Sequence, residues 1–229
     1  MKEHHHRDVT GGWLRPAVFG AMDGLVSNFA LISGVVGAGA TGTVAVVTGL
    51  AGLVAGACSM AVGEYTSVAS QTELTKAEIE NEKAELARNP EGELAELTAL
   101  YRGRGLDAET SEKVARQLTA EPEVAWRVHV REELGVDPDD LPSPYLAAGS
   151  SFAAFAAGAA VPVLPFALGA TGLLVAALAS VLGLLLAGGI VARLTARPWW
   201  AGALRQLVLG AFAAAVTYGI GSAVGASLG

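Results

Sequence analysis

Residues 17–40 read AVFGAMDGLVSNFALISGVVGAGA, and Asp23 is the only formally charged side chain in this stretch. A helix of about 20 apolar residues crosses the hydrocarbon core of a bilayer, so the stretch predicts a membrane-spanning helix. An ionised carboxylate in hydrocarbon is costly unless it has a partner, and such residues usually mark an ion or proton path. Asp23 therefore indicates such a path, and a structural hydrogen bond to a neighbouring helix is the alternative interpretation.

Four further apolar stretches follow along the chain. The sequence is 52% hydrophobic with a mean hydropathy of +0.45, which is more apolar than a soluble domain of this length. Together with the first stretch they predict five membrane spans, at residues 17–40, 44–68, 145–168, 173–193 and 200–228. The expected fold class is an all-α membrane protein with five transmembrane helices.

Acidic residues concentrate between the second and third spans. Residues 70–143 contain 18 acidic and 9 basic side chains, whereas the rest of the chain contains 4 acidic and 6 basic ones. Such an asymmetry separates two physical environments. We therefore predict an N-terminal tail at 1–16, transmembrane helices 1 and 2 at 17–69, a Glu-rich helical domain at 70–143, and transmembrane helices 3 to 5 at 144–229.

Basic residues outside the acidic block predict the topology, because cytoplasmic loops carry an excess of Lys and Arg. They precede the first span or flank the junction of the fourth and fifth spans: Lys2, Arg7, Arg15, Arg193, Arg197 and Arg205. This pattern puts the N-terminus, the Glu-rich domain and that junction in the cytoplasm. The sequence has no basic stripe, which argues against a nucleic-acid partner.

Small residues indicate how the spans pack. Three pairs have the small-xxx-small spacing that lets helices approach closely: Gly20 with Gly24, Gly52 with Gly56, and Gly221 with Gly225. They predict either packing within one subunit or the seam of a dimer. Cys58, the only cysteine, is predicted to be a packed small hydrophobe.

Two side chains of the second span are expected near Asp23. Asp23 lies about 9 Å inside the first span, and Met60 reaches a similar depth on the antiparallel second span. Glu64 follows one turn later on the face of Met60, so Asp23, Met60 and Glu64 could line one polar path. A carboxylate with a thioether suits Fe(II) better than Mg(II) or Ca(II). Core packing of Met60 and an interfacial position of Glu64 are the alternatives.

The glutamates of the acidic block recur at helical spacing. Glu78, Glu82 and Glu85 share one helix face, Glu93 and Glu96 share the next, and Glu132 and Glu133 end the last helix, with His129 one turn before Glu133. Like charges repel, so folding these faces together requires cations between them. Carboxylates suit Mn(II), Fe(II), Mg(II) and Ca(II), and a nearby histidine favours iron, cobalt or zinc. A solvated acidic surface is the alternative interpretation.

Three segments resemble the vacuolar iron transporter family. They are FGAMDGLVSN at 19–28, MAVGEY at 60–65 with SQTE at 70–73, and REELG at 131–135. The resemblance covers nearly the whole chain in order. It implies five transmembrane helices with a cytoplasmic helical metal-binding domain inserted between helices 2 and 3. It also implies a homodimer that exports Fe(II) from the cytoplasm in exchange for protons, with Mn(II) and related ions carried by some members.

The same resemblance implies roles for individual residues. Asp23 and Met60 resemble the aspartate and methionine of the family's translocation path. The glutamates that resemble its soluble metal site are Glu82, Glu85, Glu93, Glu96 and Glu133. Plant members have a methionine pair where this chain has His129 and Val130, so His129 is a candidate ligand where a thioether is lost.

The expected activity is that of a divalent metal/proton antiporter rather than an enzyme. Fe(II), or Mn(II), is expected as the substrate and as the ion bound by the Glu-rich domain, with no prosthetic group. The Ala- and Gly-rich composition predicts a bacterial cell membrane, with a vacuolar-type membrane as the alternative. A membrane-anchored metal sensor or buffer without transport is the competing hypothesis. An intramembrane di-metal oxidase would require paired Glu-x-x-His motifs on facing helices, which are absent.

Overall fold

The computed structural model describes residues 12–170 and 172–228, and their regular structure is entirely helical. The helices are α1 (Leu14–Gly37), α2 (Gly42–Arg88), α3 (Pro90–Gly103), α4 (Ala108–Leu118), α5 (Pro122–His129), α6 (Pro144–Ala167), α7 (Leu173–Leu194) and α8 (Trp199–Leu228), and a π-helical turn, Val130–Leu134, follows α5 directly. The prediction of an all-α fold is confirmed.

Five of these helices, α1, α2, α6, α7 and α8, are long and apolar enough to cross a membrane. They coincide with the five predicted spans within a few residues at each end, except that α2 continues to Arg88, well beyond the predicted end of the second span at residue 68. The prediction of five spans is confirmed. The predicted tail at residues 1–16 falls mostly on residues 1–11, which lie outside the described residues.

The chain divides into two compact units. The membrane unit comprises the chain up to Ser67 and from Ser143 onward, and the inserted unit is Val68–Pro142. The first division falls inside α2, which runs for 47 residues without a break. No proline interrupts α2, and most residues of its second half are good helix formers, namely Glu, Ala, Leu and Lys.

Helix α1 is the centre of the membrane unit. It packs against α6, α7 and α8, and its Ile32 joins Ala45 of α2 in a buried apolar cluster. Half of the most apolar window of α1 is buried, against 17% for α2 and 6% for α8. The residues of α1 are therefore the ones that protein, rather than lipid, surrounds most completely.

Glycines allow α1 to touch its neighbours at backbone distance. A Cβ atom added at Gly24 would collide with the backbone oxygen of Phe155 on α6 and come within 3.0 Å of the nitrogen of Ala159. On the other side, a Cβ at Gly225 of α8 would lie 2.8 Å from the oxygen of Ala38, just past the end of α1. The small-residue pairs on α1 and α8 thus serve packing within one chain.

Helix α2 presents a largely exposed outer face. Cys58 is exposed there, and so are Val54, at 58% exposure, and Val62, at 66%. The prediction that Cys58 is a packed hydrophobe is therefore wrong for a single chain. The sequence shows that a residue of a span is apolar, but an apolar residue can face lipid as favourably as it faces another helix.

The inserted unit begins its helices at polar caps. The side chain of Asn89 accepts a hydrogen bond from the Gly92 nitrogen at the start of α3, and Asp107 accepts one from Thr110 at the start of α4. Such caps satisfy the first free N–H groups of a helix. The ammonium of Lys83 on α2 lies 4.4 Å from the ring centre of Trp126, which holds α5 beside α2.

Substitution of Gly24 by alanine is expected to weaken the α1–α6 contact. The added methyl group meets backbone atoms, which cannot rotate away, so the free energy of unfolding should fall by roughly 1–3 kcal/mol. The measurement is thermal unfolding of the purified protein in detergent, read as a lower melting temperature. Gly149→Ala on α6 is the matched control, because nothing lies within 4 Å of its added Cβ. Equal melting temperatures for the two variants would contradict the close contact.

Candidate metal sites

The membrane unit contains a cavity of about 410 Å³ beside α1. Its walls come from α1, α2 and α6, and it is lined by Asp23, Ser27, Asn28, Leu31, Gly52, Gly56, Ser59, Met60 and Phe155. Two of the three residues predicted for a polar path, Asp23 and Met60, therefore meet at one cavity. Glu64 is half-buried on α2 but is not part of that lining.

Asp23 brings an unpaired carboxylate to this cavity. It is half-buried, and its carboxylate makes no hydrogen bond or ion pair with any residue that the structure describes. Its backbone oxygen accepts a hydrogen bond of 2.5 Å from the hydroxyl of Ser27. A carboxylate oxygen and the thioether of Met60 at one cavity form a donor pair that suits a borderline transition ion.

Asn28 is a polar residue of this cavity that sequence reasoning missed. It is 2% exposed, and its amide nitrogen donates to the oxygen of Gly49 on α2 at 3.1 Å and to that of Ala159 on α6 at 2.7 Å. Asn28 therefore ties three helices together one turn and a half from Asp23. The sequence could have identified Asn28 as a contact residue, because its amide lies within an otherwise apolar stretch and buried polar groups require hydrogen-bond partners.

The inserted unit contains a separate cluster of three carboxylates around one imidazole. The Nδ1 atom of His129 lies 3.1 Å from Oε1 of Glu82, 3.6 Å from Oε2 of Glu93 and 3.1 Å from Oε1 of Glu133. One ligand atom from each of the four residues lies within 4.8 Å of the others. Four oxygen and nitrogen donors at such spacing could hold one divalent transition ion.

The charges in this cluster do not balance within the protein. Nδ1 of His129 can donate one proton at most, and three carboxylates face it. Oε1 of Glu82 and Nε2 of His129 are buried without a hydrogen-bond partner among the described residues. Buried polar atoms are normally satisfied, and an orphaned one often marks a missing ion or water. The cluster therefore has the donors and the surplus negative charge of a cation site, and three of its four residues are buried while Glu133 is exposed.

Each residue of the cluster comes from a different element. Glu82 lies on α2, Glu93 in the first turn of α3, His129 at the end of α5, and Glu133 in the π-helical turn. A π-helical turn widens the helix by one residue and is frequent at functional sites. The neighbouring Glu132 points elsewhere, since Tyr101 donates a hydrogen bond to it at 3.1 Å and Arg104 forms an ion pair with it.

Glu85 and Glu96, which were also predicted as ligands, are exposed and lie outside the group of four. They act on it through charge. Burial raises the pKa of Glu82 from 4.5 to about 7, and the carboxylates of Glu133, Glu93, Glu85 and Glu96 add to that shift. Burial also raises the pKa of Glu93, against the opposing effect of His129.

A model of the VIT family matches residues 14–222. A vacuolar iron transporter of Acanthamoeba castellanii is 41% identical over 225 residues, which cover 96% of this chain and 82% of that protein. Vacuolar iron transporter 1 of Oryza sativa subsp. japonica is 30% identical over 96% of this chain and 90% of its own length. Vacuolar iron transporter 2 of the same plant is 29% identical over 98% and 93%.

Metal binding at the cluster in the inserted unit is expected to be linked to protons. Below pH about 7, Glu82 holds a proton that the metal must displace, so the apparent affinity should fall by up to about tenfold per pH unit below 7. The measurement is calorimetric titration of the full-length protein in detergent with Mn(II) between pH 5.5 and pH 8.

Two variants give this titration its controls. Glu82→Gln should weaken binding at pH 8 and flatten the pH dependence, because its side chain cannot titrate. Glu132→Gln should leave both the affinity and its pH dependence unchanged, because Glu132 is paired with Tyr101 and Arg104.

The raised pKa of Glu82 also makes the metal-free inserted unit less stable as pH rises from about 4.5 to about 7, since the unfolded chain releases the proton of Glu82 at lower pH than the folded chain does. Binding that is independent of pH in the natural sequence would contradict the assignment.

Proposed function

This chain belongs to the VIT family, and from that membership we propose that it exports divalent metal ions from the cytoplasm in exchange for protons. Members of this family are transporters rather than enzymes, and so is this chain. It is a multi-pass integral membrane protein. Fe(II) is the proposed principal cargo, because the relatives are named iron transporters, and Mn(II) is proposed as a second cargo.

One observation carries this proposal: an unpaired carboxylate and a thioether line the same cavity between helices that are long enough to cross a membrane. A carboxylate inside the bilayer is tolerable when a cation or a proton neutralises it. Asp23 can thus exist in two forms in which its negative charge is compensated, either bound to a divalent metal ion or protonated. Alternation between the two forms on opposite sides of the membrane is an exchange of metal for protons.

Met60 is proposed to give the cavity its preference for transition ions. A thioether is a soft donor that binds Fe(II) in preference to Mg(II), the far more abundant cytoplasmic ion. Glu64, one helical turn from Met60 on α2, is proposed as the carboxylate at the mouth of the path. Glu64 is half-buried and lies outside the cavity lining, which supports binding of the metal ion before the ion enters the cavity.

The cluster of the inserted unit is proposed to collect the ion. Its ligands in this proposal are Glu82, Glu93, His129 and Glu133. Glu85 and Glu96 are proposed to supply surrounding negative charge, which raises the local concentration of cations without direct ligation. His129 is proposed as a ligand at the position where the resemblance implies a thioether in plant members, so this cluster is expected to hold Mn(II), Fe(II), Co(II) or Zn(II) by harder ligands.

A membrane-anchored metal sensor or buffer without transport remains the second candidate. The completeness of the cluster favours it, because all four ligands lie in the inserted unit and need nothing from the membrane unit. Asp23 argues against it. A protein whose membrane helices serve only as an anchor has no use for an unpaired carboxylate in its most buried helix, because that carboxylate destabilises the membrane unit.

The orientation and the membrane are also proposals. Lysines and arginines near the ends of the spans support a cytoplasmic N-terminus and a cytoplasmic inserted unit. In a bacterial cell membrane this orientation exports the metal from the cell. In a vacuolar-type membrane, which the names of the relatives indicate for those proteins, it stores the metal in the compartment.

A homodimer in which α2 meets its counterpart is the proposed assembly. The cavity of Asp23 is walled by α1, α2 and α6 of one chain. The apolar window of α2 is only 17% buried within that chain. A second copy packed along α2 would keep the carboxylate away from lipid chains, which removes the cost of exposing it to hydrocarbon.

Asp23→Asn is expected to abolish metal-driven proton flux. The amide has nearly the same shape but neither a negative charge nor a titratable proton, so it cannot alternate between the metal-bound and the protonated form. The measurement is the internal pH of proteoliposomes after addition of Fe(II) under anaerobic conditions, and of Mn(II). Ser59→Ala, another lining residue, is the matched control and should retain most of the flux. Full flux through the Asp23→Asn variant would remove the proposed role of this carboxylate.

Cys58 is expected to cross-link two copies through α2. It is the only cysteine of the chain and is exposed on that helix, so a bifunctional thiol reagent should yield a covalent dimer in liposomes. In a Cys58→Ser background, a cysteine placed by Leu182→Cys on α7 is the control. Leu182 is 61% exposed but lies on a helix outside the proposed seam. Equal cross-linking of both proteins would indicate random collision and contradict a seam along α2.

A further inference from the structure

A second cavity of the membrane unit lies where α7 ends and α8 begins. Its volume is about 500 Å³, and it is lined by Val191, Ala192, Thr195, Arg197, Ala201, Gly202 and Arg205. None of these residues belongs to the cavity of Asp23. Two guanidinium groups, from the connecting segment and from the second turn of α8, thus share one concave site that the proposed transport path does not use.

The backbone holds the first of these arginines in a defined position. The nitrogen of Arg197 donates to the oxygen of Ala192 at 2.8 Å, and Ala196 before it has a φ of 55°. A left-handed residue with this hydrogen bond forms the Schellman motif that closes many helices, and glycine normally occupies it. The position after it usually carries an apolar side chain, but here it carries Arg197. The turn therefore directs a cation to the end of α7.

The wall of the cavity that α8 provides is held in place by the close packing of α7 against α8. A Cβ atom added at Gly188 would lie 2.5 Å from the backbone oxygen of Gly202, so the two helices touch at backbone distance there. Arg205 follows Gly202 by three residues and lies on the same side of α8. The distance between the two helix ends is thus set by packing rather than by the arginines themselves.

No carboxylate that the structure describes neutralises either guanidinium group. All ion pairs among the described residues lie in the inserted unit, and none of them includes Arg197 or Arg205. Ala201 and Gly202 belong to the first turn of α8, where the helix dipole gives partial positive charge. The cavity is therefore positive on two sides, and its natural ligand is an anion.

Exposed apolar and aromatic side chains lie on α8 close in sequence to the residues that line this cavity. Trp199 and Trp200 are 54% and 59% exposed, as is usual where a span meets the membrane interface. One turn beyond Arg205 on α8, Val208 and Leu209 are 58% and 54% exposed. A ligand with an anionic head and apolar chains would match both parts, whereas a free inorganic anion would use the arginines alone.

We propose that the cavity between α7 and α8 binds the phosphate of an anionic phospholipid through Arg197 and Arg205, with its acyl chains along α8. Planar guanidinium groups pair with phosphate oxygens through two parallel hydrogen bonds, which makes arginine well suited to this task. Basic pockets between transmembrane helices are known to hold anionic headgroups. The lipid joins the ends of α7 and α8 at the interface.

Arg193 separates this proposal from a simple effect of charge on topology. It lies within one turn of the same junction, is exposed and carries the same charge, but it does not line the cavity. If the arginines act only through the excess of positive charge, then loss of Arg193 and loss of Arg197 have equal effects. If the cavity binds a headgroup, the two losses differ.

The test is native mass spectrometry of the full-length protein, stripped of lipid in a neutral detergent. Phosphatidylglycerol or phosphatidylcholine is then added, each with or without inorganic phosphate. We expect retention of phosphatidylglycerol over phosphatidylcholine, and about tenfold weaker retention in the Arg197→Gln/Arg205→Gln variant. Arg193→Gln should bind like the natural sequence. If the double variant does not fold, the single variants Arg197→Lys and Arg205→Lys take its place, and each should weaken retention because lysine cannot pair with phosphate bidentately.

The outcomes divide as follows. Preferential retention that falls in the cavity variants and survives in Arg193→Gln supports the proposal. Equal retention of both lipids, or an equal loss in Arg193→Gln, overturns it. Complete displacement of the lipid by millimolar inorganic phosphate identifies a free anion as the ligand and overturns the assignment to a phospholipid.

Discussion

The membrane unit depends on how the negative charge of Asp23 is stabilised in an environment of low dielectric constant. Asp23 sits on the most enclosed helix of the membrane unit, and its carboxylate has no protein partner among the described residues. A permanent partner such as arginine would solve the electrostatic problem but would also exclude any exchangeable cation. Leaving the position open makes the carboxylate costly for stability and available for a metal ion or a proton.

The inserted unit applies the same principle outside the hydrocarbon. Glu82 and Glu93 are each 7% exposed, and one imidazole cannot neutralise both of them and Glu133. The protein meets this surplus by retaining a proton, which is the physical meaning of the raised pKa of Glu82. A metal ion replaces that proton and satisfies several oxygens at once. In both units, therefore, the fold leaves carboxylates without a fixed counter-charge, which is what the proposed exchange of metal for protons requires.

Sequence reasoning reached the helices, the spans and the meeting of Asp23 with Met60, because hydropathy and depth along antiparallel spans determine them. It could not separate Glu82 and Glu93 from Glu85 and Glu96, which share the same helix faces. The first two are buried and the others exposed, and that difference depends on how α2, α3 and α5 pack together. Cys58 was misjudged for a related reason, since apolar residues toward lipid and toward protein look alike in a span.

The walls of the Asp23 cavity differ in how easily they can move. On the α6 side, Gly24 and Gly158 meet backbone atoms of the opposite helix, so a shift there must displace a whole helix. On the α2 side, Gly52 and Gly56 meet side chains, namely those of Asn28, Leu31 and Phe155. Side-chain rotation displaces fewer atoms than the collective and slow movement of a packed helix. A change in the shape of the cavity along α2 therefore does not have to displace a second backbone, but it must break the hydrogen bond between Asn28 and Gly49.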